Sequence, residues 1–246
     1  MGWLRCCALG AFLAGAVVSA AALDKPALPG TLNYVEGQAS IGTQVLNDKS
    51  VGSAVLKSGQ RLTTENGNVE VVLAPNIFLR VGKNSSVQMI SGSLPDTEVA
   101  LKQGRAMVEV AELHKDNDVR VRQQGSTTRL LKTGLYEFDA SQRDIRVYKG
   151  EAKVQEGDQS VKLKSGREVA LDSGGELKPQ KFDKKQAENS NLYRFNRLRS
   201  TYLAEANPQP LYWYGPAWAG WGWGPAWGWG PGWGGWWAPG WGWGWR

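Results

Sequence analysis

The sequence predicts a mainly β fold, and three observations carry that prediction. Apolar and polar residues alternate through most of residues 31–177, turn-forming clusters interrupt the alternation about every eight to twelve residues, and one glycine-centred phrase occurs three times. The architectures compatible with a dozen or so short strands at this spacing are a sandwich, a roll or a β-solenoid.

Ahead of this region, Arg5 is followed by an apolar run over residues 6–18 and then by Ser19-Ala20-Ala21-Ala22. A basic start, a short apolar core and small residues make a secretory signal peptide over residues 1–22, cleaved after Ala20 or Ala22. The run is shorter than the roughly 20 residues a spanning helix needs. Cys6 and Cys7 are the two cysteines of the chain and both fall in this segment, so the mature protein is expected to have no thiol for a disulfide, a metal or nucleophilic catalysis. The expected location is exported, in the periplasm or cell envelope. Lys and Arg total 29 against 23 Asp and Glu. That excess is mild and scattered, and together with export it argues against nucleic acid as a partner.

In the body, Val69, Val71 and Leu73 alternate up to an Ala74-Pro75-Asn76 turn, after which Ile77, Leu79 and Val81 continue. The same period of two returns at Val87 and Met89, Val99 and Leu101, Ala106, Val108 and Val110, Val119 and Val121, Ile145 and Val147, Ala152 and Val154, Val161 and Leu163, and Val169 and Leu171. Between the runs, Glu65-Asn66-Gly67-Asn68, Gly82-Lys83-Asn84, Ser91-Gly92-Ser93, Asp116-Asn117-Asp118, Glu156-Gly157-Asp158 and Ser173-Gly174-Gly175 offer Gly or Asx for positive φ.

The recurring phrase is whole in Leu101-Lys102-Gln103-Gly104-Arg105-Ala106. It is split upstream into Gly37-Gln38-Ala39 and Leu56-Lys57-Ser58-Gly59, and downstream into Gly150-Glu151-Ala152 and Leu163-Lys164-Ser165-Gly166. Each copy reads as a strand end, a glycine turn and a strand beginning. A small Ala at a fixed place after the turn tilts the reading toward a coiled arrangement in which successive corners approach closely.

Several of these stretches resemble a FecR domain. They are Gly59-Gln60-Arg61-Leu62-Thr63-Thr64 followed by Val69-Glu70-Val71-Val72-Leu73, and then Phe78-Leu79-Arg80-Val81-Gly82 leading to Ser86-Val87. The step from Leu101 to Val110, the Gly134-Leu135-Tyr136-Glu137-Phe138 strand and the closing Val147-Tyr148-Lys149-Gly150-Glu151-Ala152-Lys153-Val154 continue the pattern. The resemblance covers roughly residues 59–171. It implies an all-β module outside the inner membrane that, in iron-uptake signalling, relays contact with an outer-membrane transporter to a sigma factor. The family's N-terminal helical anti-sigma segment and its transmembrane helix have no counterpart in this sequence, so the domain is expected to be used alone.

Asp183 can cap an amphipathic helix over residues 183–206, ended by Asn207-Pro208. Leu192, Phe195, Leu198 or Arg199, and Tyr202 make its apolar face, with Arg194, Arg197 and Arg199 as a basic flank. The expected role is a latch on the β body, with a membrane or partner surface as the alternative.

Residues 208–246 are a low-complexity tail rich in Gly, Trp and Pro, for which no single fold is expected. Its indoles are Trp213, Trp218, Trp221, Trp223, Trp227, Trp229, Trp233, Trp236, Trp237, Trp241, Trp243 and Trp245, with Arg246 as the one charge after Trp213. An indole has a broad apolar face and one N–H donor, which suits a sugar ring, a cation or a lipid headgroup boundary. These twelve are the candidate surface-binding residues. They suit peripheral contact with a membrane interface, an envelope polymer or another copy of the chain.

No catalytic, cofactor-binding or metal-ligating constellation is present. His114 is the lone histidine and sits in a charged loop, and Glu109, Glu112, Asp116 and Asp118 read as a solvated strand end rather than a carboxylate pair. Gly230-Pro231-Gly232-Trp233-Gly234-Gly235 has the glycine spacing of a nucleotide loop without the strand and helix that would flank one. The function expected is non-enzymatic. One reading is an exported interaction or signalling module with an envelope protein partner. The other is a structural or adhesive envelope protein that binds polysaccharide, peptidoglycan or the outer-membrane surface through its indoles.

Overall fold

A computed structural model of the chain describes residues 28–171 and 175–206. The signal-peptide expectation and the entire tryptophan-rich tail fall outside them.

The described chain forms β1 (Thr31–Glu36), β2 (Ala39–Ile41), β3 (Gln44–Val45), β4 (Arg61–Thr64), β5 (Asn68–Ala74), β6 (Ile77–Val81), β7 (Ser85–Ser93) and β8 (Asp96–Gln103). It continues with β9 (Arg105–Val110), β10 (Asp118–Gln123), β11 (Ser126–Leu130), β12 (Gly134–Asp139), β13 (Asp144–Lys149), β14 (Glu151–Glu156), β15 (Gln159–Lys164), β16 (Arg167–Ala170) and β17 (Gln180–Lys181). Two helices follow, α1 (Lys184–Glu188) and α2 (Asn191–Ala206).

The strands make an eight-stranded sheet, β1-β5-β6-β9-β12-β13-β16-β17, and a nine-stranded sheet, β15-β14-β11-β10-β8-β7-β4-β2-β3. Neither sheet closes into a barrel. The chain crosses from one sheet to the other repeatedly while advancing along both in the same direction. The regular coil favoured from the repeat is nevertheless not what the ladders show. Pairing among the described strands is antiparallel except for β10 against β8, and β2-β3, β5-β6, β7-β8, β10-β11, β12-β13 and β14-β15 are hairpins rather than successive turns of one coil.

Four of the five glycines of the repeated phrase mark crossings, and Gly59, between β3 and β4 of one sheet, does not. Gly37 lies between β1 and β2, Gly104 between β8 and β9, Gly150 between β13 and β14, and Gly166 between β15 and β16, all with positive φ. At each of these points the chain leaves one sheet for the other. Three of them tolerate no side chain, Gly37 because a Cβ there would stand 2.7 Å from the Gly67 Cα. A Cβ on Gly104 would stand 2.2 Å from Ser85 Oγ and 2.6 Å from the Asn84 carbonyl oxygen, and one on Gly150 would stand 2.2 Å from the Tyr136 hydroxyl. Not every expected turn uses positive φ. Gly67 is required instead by close approach, since a Cβ there would lie 2.0 Å from the Glu36 carbonyl oxygen, and Gly92 is a strand residue of β7 paired with Thr97.

The alternating apolar residues of both sheets meet in one core, with Val69, Val71, Leu73, Val108, Phe138 and Ile145 from one side and Leu62, Met89, Val119, Val121, Val154 and Leu163 from the other, all essentially inaccessible. Fully burying one such side chain is worth about 1.5–3 kcal/mol. Phe138 lies opposite Ala106 on β9 and Ile145 on β13, so a large residue is seated beside a small one across the ladder.

The single helix expected over residues 183–206 is interrupted. Asp183 caps α1 as anticipated, its side chain accepting from the backbone N–H of Gln186, but Asn189 and Ser190 break the run before α2 begins. No helix among the described residues is long and apolar enough to cross a membrane.

Candidate functional site

Helix α2 packs against β9 and β6, on the outward face of the eight-stranded sheet. On that face the polar half of each alternating strand carries charge, so the helix lies over guanidinium and carboxylate groups. Arg80 on β6 is fully buried. Its Nε donates to Glu70 Oε2 at 2.6 Å, and its Nη1 donates to Glu109 on β9 and to Asn196 Oδ1 on α2. The ladder dictates this meeting, because Glu70 and Arg80 are direct cross-strand partners.

The helix completes the set. Arg199 donates to Glu70 Oε1 at 2.8 Å through Nη2, Ser200 donates to Glu109, and Asn33 on β1 donates to Glu70 at 2.6 Å. Two cations thus face two carboxylates. Burial alone would push the Glu70 carboxyl up, yet the Arg80 and Arg199 guanidiniums and the Asn33 amide overcome it and hold it below the usual range. The Arg199 guanidinium also stacks 4.4 Å from the Tyr34 ring centroid, and Tyr34 in turn contacts Phe195.

This corrects the expected helix face. Leu192, Phe195, Asn196 and Ser200 point inward, while Leu198 and Tyr202 are each 54% exposed. Of the alternatives at the third position, Arg199 is the one that turns to the sheet. It is therefore part of the docking surface and not of the basic flank. Glu109 is corrected too, from a solvated strand end to a buried partner of Arg80 and Ser200. Glu112 accepts from Asn76 at the strand end, Asp118 pairs with Arg120 and Arg129, and His114 lies exposed 3.5 Å from Glu112.

A second charged cluster lies along the same face under α1. Arg146 on β13 stands between Glu137 on β12 and Glu168 on β16, its direct cross-strand partners. It bonds Glu168 at 2.8 Å and Asp144 at 2.5 Å, with Glu137 at 3.9 Å. Arg105 pairs with Glu137 and with Asp139 at 3.2 Å. Two guanidiniums are therefore shared among four carboxylates. Burial pushes the Asp144 carboxyl up to about 7, helped by the neighbouring Asp139, Glu137 and Glu168 charges, because the opposing pull of Arg146 is divided. Tyr148 donates to Glu137 at 2.6 Å and its ring packs on Phe182 and Tyr193 at 5.1 Å each. Its hydroxyl is pushed up by burial and by the adjacent carboxylate.

Between this cluster and α1 lies an open cleft of about 310 Å³ lined by Arg105, Arg146, Glu168, Phe182, Asp183, Gln186, Ala187 and Ser190. Both arginines in its wall already hold carboxylates. The cleft presents amide, hydroxyl and carboxylate oxygen atoms suited to hydrogen bonding. The twelve indoles from Trp213 to Trp245, the candidate binding residues of the sequence, lie outside the described residues. What sequence reasoning missed is the pair of buried charge clusters. Glu70, Arg80, Glu109, Glu137 and Arg146 occupy outward strand positions, where alternation alone reads as solvent.

Comparison with curated proteins gives no match. Two crystal structures of a candidate anti-sigma factor from Parabacteroides distasonis share 14% and 12% identity with the chain, with TM-scores of 0.43 and 0.44. The likeness covers 57% and 58% of this chain and 62% and 64% of those, so the chain spans less than two thirds of their length. Residues 60–158, from the start of β4 to the turn between β14 and β15, match the family described as FecR protein, and that stretch is accordingly a FecR domain.

Proposed function

We propose that the protein works by binding, as a non-enzymatic FecR-domain interaction or signalling module in the periplasm or cell envelope. The observation that carries this reading is the FecR match over β4 to β14, the stretch that also builds most of both sheets. The chemistry of the covered face supports it. The charged groups there hold strands and helix together. Crosslinking the full-length exported protein in intact cells, followed by recovery under denaturing conditions, tests it. One recurrent envelope protein captured at stoichiometric yield is expected, and capture of none removes the proposal.

A second reading is favoured by composition alone. The tail from residue 213 holds twelve of the thirteen tryptophans in the chain. In this reading the protein is a structural or adhesive envelope component held to polymer or membrane surface by its indoles. Truncation after Pro210 separates the two. The adhesive reading requires loss of envelope retention, and the interaction reading requires retention and crosslinking to persist.

A further inference from the structure

The outward face of the nine-stranded sheet carries a feature that folding does not require. Lys162 on β15 is opposite Lys153 on β14, Lys153 is opposite Arg129 on β11, and Arg129 is opposite Arg120 on β10. Four cations therefore stand in single file across four adjacent strands. At the usual strand spacing of about 4.8 Å the file is roughly 14 Å long. Like charges placed directly opposite one another across a ladder destabilise it. The carboxylates that answer them are Asp96, Glu98 and Asp118 to Arg120, Asp118 also to Arg129, and Glu151 to Lys162, so Arg120 is the most fully answered of the four. None among the described residues reaches Lys153, at the middle of the file. The Arg129 and Lys162 side chains are 57% and 59% exposed.

A second file runs beside the first, two residues along each strand. Ser160 is opposite Gln155, Gln155 opposite Thr127, and Thr127 opposite Arg122. Two residues of strand advance about 7 Å. The face thus offers a row of cations and, one sugar-ring width away, a row of hydroxyl and amide groups ending in another cation. Neither file contains an aromatic side chain on which a nucleobase could stack, nor an apolar one that would enter a bilayer.

We propose that this face binds an acidic polysaccharide, a linear glycan whose regularly spaced carboxylates lie along the cation file and whose hydroxyls meet the Ser160, Gln155 and Thr127 file. This goes beyond the interaction reading above and involves neither the tail nor the covered face of the other sheet.

The test is affinity electrophoresis and calorimetry of the full chain with polygalacturonate, with neutral dextran, single-stranded DNA and phosphatidylglycerol vesicles as comparisons. Polygalacturonate is expected to bind, dextran not, with affinity falling as salt is raised. The double variant Lys153→Glu, Lys162→Glu is expected to bind at least ten-fold more weakly. An equal charge change on α2, Arg194→Glu with Arg197→Glu, is expected to bind like the parent. Because the two new carboxylates would again stand opposite one another and beside Glu151, the neutral pair Lys153→Gln, Lys162→Gln is measured as well: it removes the like-charge opposition, is expected to melt no lower than the parent and to bind more weakly, so weaker binding cannot be ascribed to unfolding. Undiminished binding by the Lys153/Lys162 variant, equal loss in the α2 variant, or tighter binding to DNA or vesicles than to polygalacturonate would each overturn the proposal.

Discussion

The outward faces of the two sheets are written in the same alternating script and end in opposite environments. On the eight-stranded sheet, Glu70, Arg80, Glu109 and Glu137 lie beneath α2 and the segment leading into it, and their charges close on one another and on the helix. On the nine-stranded sheet, Arg122, Arg129, Lys153 and Lys162 stand at equivalent outward positions and are exposed, the pairs of Arg122 with Glu98, Arg129 with Asp118 and Lys162 with Glu151 lying open to solvent with no helix over them. The energetic consequence differs sharply. A buried ion pair that loses one member leaves an uncompensated charge in low dielectric and costs about 3–5 kcal/mol, whereas an exposed pair contributes roughly 0–1 kcal/mol. The covered face is thus the one that holds the molecule together, and the bare face is free to bind.

The comparison can be broken most forcefully at Arg80. Arg80→Leu strands Glu70 and Glu109 beneath α2 and is expected to cost about 3–5 kcal/mol in urea denaturation. Arg129→Leu on the bare face is expected to change stability by less than about 1 kcal/mol. Equal losses would show that the two faces are not energetically distinct.

Next in size come the crossings that separate the faces. Gly104→Ala forces a Cβ against Ser85 and Asn84 at positive φ, and is expected to cost roughly 1–3 kcal/mol. Gly125→Ala, also at positive φ but with nothing within 4 Å of the new Cβ, is expected to cost less, about 1 kcal/mol, in the same measurement.

Acid sharpens the contrast within the covered face. Glu70 is held below its ordinary value of 4.5 in the folded chain, so its contribution is complete above that value and is lost as the pH falls through the lower folded value. A melting-temperature series from pH 6 to pH 2 should decline less steeply in Glu70→Gln, which starts from a lower stability, than in the parent.

Asp144 has the opposite sign and the smallest effect. Its folded value of about 7 lies above the ordinary 3.8, so ionising it at higher pH works against folding, while below 3.8 it is protonated in both states and contributes no slope. Asp144→Asn is expected to raise the melting temperature by a few degrees at pH 8 relative to its effect at pH 4. A variant that is uniformly less stable at both values would indicate that the bond to Arg146 outweighs the burial of the carboxylate.

How much of this was legible in the sequence follows from what a period of two can encode. The inward residues of β5, β6, β9, β10 and β13 to β16 could be read directly, because Val, Ile and Leu at every second position leave one choice of buried face. β11 was not legible that way, since its inward positions are Ser126, Thr128 and Leu130 and its polarity hides the alternation. The crossing glycines were legible as turns, although their role as sheet-to-sheet corners needed the topology. The fate of the polar half of each strand was not legible at all. Val69-Glu70-Val71 and Val119-Arg120-Val121 are equivalent patterns, and only the return of α2, more than a hundred residues after Glu70, decides that the first is covered. The break at Asn189 and Ser190 was similarly hidden, because it lets α2 turn Asn196, Arg199 and Ser200 to the sheet in place of Leu198 and Tyr202.

Buried charge clamps α2 to the eight-stranded sheet, and amide hydrogen exchange measures that clamp directly. Amides from the second turn of α2 onward should exchange nearly as slowly as those of β5, β6 and β9 in the parent, and should lose protection selectively in Arg80→Leu while the nine-stranded sheet keeps its own. Fast exchange along α2 in the parent, or undiminished protection of α2 in the variant, would contradict it.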